Sequence, residues 1–141
     1  MRLEKLFEVK ERKLFKIADG SEVAVLPEMA VRVRWSDVEP EEGAYNESFL
    51  ADLRNELKSL ETRGAFVLVE PVCDKREDAE PLIAAMKHTA RRIKDCAAVV
   101  GFAVPEELLG SADEYIAELG AKHAHYCFFC KKPLKSDVVL Y

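Results

Sequence analysis

The sequence predicts an α/β fold: a parallel sheet of strand–helix units preceded by an N-terminal β-hairpin. Three observations carry that reading. From residue 31 onward the apolar pattern alternates between strand-like and helix-like periods, in the order strand, helix, strand, helix, strand, helix, strand. Two strand segments, AFVLVE at 65–70 and AAVVGFAV at 97–104, are almost continuously apolar, as strands covered on both faces are. Upstream, LFKIADGSEVAVL at 14–26 sets Asp19-Gly20 between two short β-like runs, a common hairpin turn.

Residues 1–12 fit a helix or a strand equally well, and Pro27 closes the hairpin. VRVRWS at 31–36 alternates and reads as the first parallel strand. The loop DVEPEEGAY leads to Asn46, a fair N-cap for a helix through about Arg63. Phe49, Leu50, Leu53, Leu57 and Leu60 share one face of that helix, and Gly64 is placed to end it. A second helix starts near Glu80-Pro81, with proline in its first turn and Leu82, Ile83, Met86, Ala90 and Ile93 as its stripe. Ser111 and Glu114 form a capping-box pair for a short third helix that turns Tyr115, Ile116 and Leu119 inward, with Gly120 after its end. HAHYCFF at 123–129 and DVVLY at 137–141 are the final strand candidates. Polar residues follow the apolar strands at their C-terminal ends, the edge where parallel sheets carry their sites. An open parallel sheet has unpaired edges and an inner face with no lid. A homodimer that covers or closes the sheet is therefore expected, with DVVLY as the candidate edge.

The 141 residues suit one domain, 1–141. Hydrophobic residues at 49% and charged residues at 33% allow a core in a soluble chain. A formal net charge of -5 argues against nucleic acid and anionic membrane surfaces as partners, because both reward a surplus of Lys and Arg. The pairs Arg91-Arg92 and Lys131-Lys132 are too short to reverse this and read as solvated positions. MRLEKLFEVKERK mixes charge into every turn, and no stretch has signal-peptide or membrane-span character. A cytoplasmic protein is expected, with Cys73, Cys96, Cys127 and Cys130 reduced.

The segment VRVRWSDVEPEEGAYNESFLADLRNELKSLETRGAFVLVEPVCD carries a more specific signal. Arg32 or Arg34, Trp35, Glu39, Pro40, Gly43, Tyr45, Gly64 and Asp74 follow one another in an order and rough spacing that resemble the second and third strands of glycoside hydrolase family 5 and its relatives. Gly101-Phe102 through Glu107 is similar to that family's fourth strand, which places Glu107 at the acid/base position, with Glu106 where the family has Asn and Leu108 where it has Pro. The resemblance implies a shortened or half (β/α) barrel. A complete barrel takes about 250 residues, so 141 do not supply eight units, and no segment corresponds to the family's nucleophile on its seventh strand. A retaining glycosidase needs two carboxyl groups roughly 5 Å apart, and this chain is expected to present half of that pair.

Each candidate group has a plainer role beside the chemical one. Arg32 and Arg34 alternate with valines and would face the inner side of the sheet, to grip a substrate oxygen or to pair with Glu70 or a loop acid. Trp35 is a sugar-stacking platform or a core residue, and Asp74 at the next strand end joins the substrate-binding set. Glu39 before Pro40 reads as structural. Glu70 and Glu107, at adjacent strand ends, are an acid/base pair in principle or two loop carboxylates. His123, His125, Cys127 and Cys130 are zinc-type ligands, a redox Cys-x-x-Cys, or packed side chains. On a flat strand His123 and Cys127 stand about 13 Å apart, too far for all four to meet.

These readings rank a non-catalytic glycoside hydrolase-like domain first, binding carbohydrate or self-assembling and needing no cofactor. A glycosidase whose site is completed across a homodimer comes second, and a zinc-binding structural domain third.

Overall fold

The computed structural model describes residues 4–76 and 78–141. Its first layer is a small antiparallel sheet of β1 (Phe7–Lys10), β2 (Lys13–Lys16) and β3 (Glu22–Val23), in that order. The Asp19-Gly20 turn joins β2 to β3. Gly20 takes a φ of 70°, and Asp19 Oδ1 accepts from the Ser21 amide and hydroxyl at 3.0 and 2.6 Å. The segment that fitted helix or strand is a strand over Phe7–Lys10, and a second, tighter turn at Glu11-Arg12 follows it. Both turn residues have positive φ, 49° and 64°, a conformation that costs non-glycine residues about 1 kcal/mol or more each. Arg12 offsets that cost by binding the far end of the chain. Its amide donates to Ser136 O at 2.9 Å, its carbonyl accepts from the Leu140 amide at 3.0 Å, and its guanidinium donates to Leu134 O at 2.8 and 3.2 Å.

The second layer is a parallel sheet of β4 (Ala30–Arg34), β5 (Val67–Val72), β6 (Val99–Ala103), β7 (Cys127–Cys130) and β8 (Val138–Leu140), ordered as in the chain. The third layer is helical. α1 (Trp35–Val38) is a single turn, and α2 (Glu47–Thr62), α3 (Ala79–Arg92) and α4 (Ala112–Gly120) carry the crossovers. Asn46 caps α2 by accepting the Phe49 amide at 3.0 Å, and Gly64, at a φ of 72°, reverses the chain after it. The fold is therefore α/β, with the alternation read from the sequence. Among the described residues no helix is long and apolar enough to cross a membrane.

Three local expectations are corrected. Trp35 does not continue β4 but opens α1. HAHY does not belong to β7, which starts at Cys127. Ser111 makes no side-chain cap, because a 3₁₀ turn over Glu106–Ser111 runs directly into α4, and Gly120 is that helix's last residue.

Strand alternation divides the core in two. Val33, Val69, Phe102 and Phe128 face the helices, with Leu57, Leu82, Met86 and Tyr115. Leu68, Val100, Cys127, Phe129 and Val139 face the other way and pack on Phe7 and Leu14 of the small sheet. The inner face thus has a lid, contrary to the expectation of an inner face with none. The Leu140 amide, on the edge expected to pair between copies, is already bound by Arg12.

At Gly101 the register between β5 and β6 shifts, and β6 passes close to β7. A Cβ at this position would lie 1.6 Å from the Cys127 carbonyl oxygen, so no other residue fits without moving a strand. Gly101→Ala should lose about 3 kcal/mol or more in urea unfolding, the upper range for overpacking. A loss below about 0.5 kcal/mol would show that the strands separate freely here.

Candidate functional site

The lid's apolar contacts end near Ala103, Phe129 and Tyr141, and past them the sheet opens into a cleft of about 260 Å³. Each wall comes from a strand end: Arg32 from β4, Glu70 from β5, Pro105 to Glu107 after β6, Lys131 and Lys132 after β7, and Tyr141 after β8. Arg32 and Glu70 are register partners on neighbouring parallel strands, which fixes their side chains on one face.

Glu70 is the centre of this arrangement. Its side chain is only 15% exposed. Tyr141 donates its hydroxyl to Oε2 at 2.6 Å, Lys131 Nζ lies 3.4 Å from the same oxygen, and Arg32 Nε lies 3.5 Å from Oε1. Burial, then the Glu70 hydrogen bond and charge, push the Tyr141 phenol well above its ordinary range, so it remains a donor at neutral pH. Lys131 also sits over the Tyr141 ring, 5.8 Å from its centre. At the rim Lys132 pairs with Glu106 at 3.2 Å, and Glu107 is exposed. Three cations (Arg32, Lys131, Lys132) face three acids (Glu70, Glu106, Glu107), so the cleft is formally neutral.

Of the four residues expected to bind substrate, only Arg32 lines this cleft. Trp35 is fully buried, and its expected role as a sugar platform is corrected. Its Nε1 donates to Glu39 Oε1 at 2.7 Å, while Lys75 and Arg76 lie over the indole at 5.6 and 5.1 Å. Glu39 is buried as well, and its Oε2 accepts the Gly43 amide at 2.7 Å, so one carboxylate clasps α1 to the loop behind it. Asp74 accepts the Ser36 amide at 2.9 Å and the Ser36 hydroxyl, tying the end of β5 to α1. Burial raises the Asp74 carboxyl, but the Ser36 bonds and the nearby Arg34 charge outweigh it and hold the group below 3.8. Trp35 and Asp74 therefore belong to the structural clasp beside the cleft, and Arg34 is exposed with its charge acting on Asp74.

The histidine–cysteine set is dispersed. His123 and His125 sit in the turn before β7, Cys127 faces the lid with its thiol toward Phe7 O at 3.7 Å, and Cys130 faces the helices. Two cysteines on opposite faces of one strand cannot share a metal or a disulfide. Among the described residues no three His, Cys, Asp or Glu side chains are grouped to hold a metal ion. Burial pushes the Cys127 thiol up to about 11, against the thiolate form a ligand needs.

Sequence reasoning missed Tyr141, Lys131, Lys132 and Glu106. They follow short strands at the end of the described chain, and only the sheet order brings them to Arg32 and Glu70. No family model matches the chain, and no curated protein matches it in sequence. Among solved structures it is similar to a GH5_18 from Bifidobacterium longum subsp. infantis, at 16% identity and a TM-score of 0.52 over 72% of this chain and 33% of that one. At that identity the likeness is one of fold, and the matched part spans about a third of that chain.

Glu39→Gln would aim an amide N–H₂ at one of the two donors that Glu39 now satisfies. Loss of one such buried bond should cost about 1–3 kcal/mol in chemical unfolding. It should also red-shift the emission of Trp35, the sole tryptophan. Unchanged stability would show that the clasp is dispensable.

Proposed function

We infer that this chain is a non-catalytic domain of glycoside hydrolase-like fold that binds a short neutral carbohydrate in the cleft. The observation that carries the reading is the bonding of Glu70. A glycosidase carboxyl must be available to transfer a proton or attack a sugar carbon. Glu70 Oε2 instead accepts the Tyr141 hydroxyl, and the two oxygens face the cations Lys131 and Arg32 at 3.4 and 3.5 Å. A carboxylate engaged by a phenol and two cations is suited to orienting those neighbours around the cleft.

Charge and size support the same ligand class. Equal numbers of cations and acids favour a neutral polyol over an anion or a cation. A cleft of about 260 Å³ is smaller than the ~300–1,000 Å³ of sites for drug-sized ligands, so it suits about one sugar ring. Tyr141 supplies an aromatic ring at the wall, and Arg32 and Glu106 offer a donor and an acceptor to ring hydroxyls.

A second reading, a glycosidase completed across two copies, has one observation in its favour: Glu107 stands exposed on the rim of the same cleft. One set of experiments separates the two. Calorimetric titration with gluco-, manno- and xylo-oligosaccharides should find a ligand whose affinity falls at least about tenfold in Arg32→Ala and in Tyr141→Ala, as loss of a charged or buried hydrogen bond predicts. Nitrophenyl β-glycosides should not turn over. Failure of every sugar to bind would sink the carbohydrate reading. Turnover abolished by Glu70→Gln or Glu107→Gln, with sedimentation at twice the 15.9 kDa chain mass, would establish the second.

A further inference from the structure

A second cavity, of about 150 Å³, lies at the opposite edge of the large sheet, where the chain before β6 meets the start of the lid. Leu6, Phe7, Val99 and Val100 form apolar walls, and Glu4 and His125 are its polar members. Both ring nitrogens of His125 are shielded from solvent, and among the described residues neither has a hydrogen-bond partner. Buried polar groups in folded proteins are nearly always paired with protein, water or ligand, and an unpaired one costs about 1–3 kcal/mol.

Water answers this poorly. A buried water is held by two to four polar partners, and these walls are mainly aliphatic and aromatic. An apolar cavity of about 150 Å³ holds a benzene-sized molecule. The charges around it disfavour an ionic guest: Glu4 lines the space and opposes an anion, while Lys5 acts on His125 with positive charge and opposes a cation. Burial first, then the neighbouring His123 and Lys5, lower the His125 pKa, so at neutral pH its ring offers one donor and one acceptor. Tyr126, 4.2 Å from His125 between ring centres, backs the imidazole, and its own hydroxyl is spent on Ala90 O at 2.8 Å.

We propose that this cavity is a binding site for a small uncharged aromatic alcohol of the phenol class, its ring against Phe7, Val99 and Val100 and its hydroxyl bonded to the His125 imidazole. The site lies away from the cleft and is independent of the carbohydrate reading.

Phenol itself is the probe. Titrated into isotope-labelled protein at pH 7.5 and followed by NMR, it should shift the Val99 and Val100 methyls and the His125 ring resonances saturably. Benzene and anisole, which lack the hydroxyl proton, should bind the wild type at least about fivefold more weakly, the worth of roughly one hydrogen bond. His125→Phe should erase that preference. The wild-type comparison stands even if the variant does not fold. No saturable shift, equal affinity for phenol and benzene, or an undiminished preference in a folded His125→Phe would each overturn the proposal.

Discussion

A parallel sheet with two apolar faces cannot leave either of them to water, and the rest of this molecule is arranged around that constraint. The helices cover one face. The other carries Leu68, Val100, Cys127, Phe129 and Val139, and the small sheet covers it with Phe7 and Leu14. Fully burying one large aliphatic or aromatic side chain is worth about 1.5–3 kcal/mol. The lid interface therefore represents an amount comparable with the ~5–15 kcal/mol total stability of an ordinary domain. A lid of that weight must be held in register, and Arg12 does so by bonding Leu134, Ser136 and Leu140. The same bonds occupy part of the β8 edge. At the other edge, Arg32 and Arg34 on β4 set like charges where a second β4 would have to pair.

The cleft follows from where the lid stops. In the rows beyond Leu68, Ala103 and Phe129, the inner face changes from apolar side chains to Arg32, Glu70 and Tyr141. A half-buried carboxylate on that face needs compensation, and two cations with a phenol supply it. The structural demand of burying Glu70 and the placement of hydrogen-bonding groups in the cleft are thus one arrangement. The clasp of Glu39 and Asp74 on α1 settles the neighbouring loop independently of the cleft, through bonds local to β4 and β5.

Much of the fold was legible because it rests on pattern. The apolar runs of β5 and β6, the Asn46 cap and the Gly64 stop are local signals, and each appears where its residues place it. The misreadings have physical causes. Trp35 extends the alternation of VRVR, but Asp74 binds the Ser36 amide and turns the chain into α1 at that point. Glu11-Arg12 lacks the glycine or asparagine that marks a tight hairpin, because its strained turn is stabilised by partners 122 residues away. The histidines looked collinear with Cys127 only while 123–129 was taken as one strand. In the site, Arg32 and Glu70 were accessible as cross-strand neighbours. Tyr141 and Lys131 were not, since their place depends on β7 and β8 being parallel across the short link 131–137, where no crossover helix announces the pairing.

The span between Arg12 and its partners also has a temporal side. During synthesis the lid strands leave the ribosome before β7 and β8, and Leu134, which binds the Arg12 side chain, is 122 residues behind. At ordinary translation rates of about 5–20 residues per second, that gap is roughly 6–24 s. For that interval Phe7 and Leu14 have no completed sheet to pack on, and the strained turn at Glu11-Arg12 has none of the bonds that stabilise it. The lid is therefore made well before it can settle, and the nascent chain carries an exposed apolar hairpin that chaperones can hold until β7 and β8 arrive.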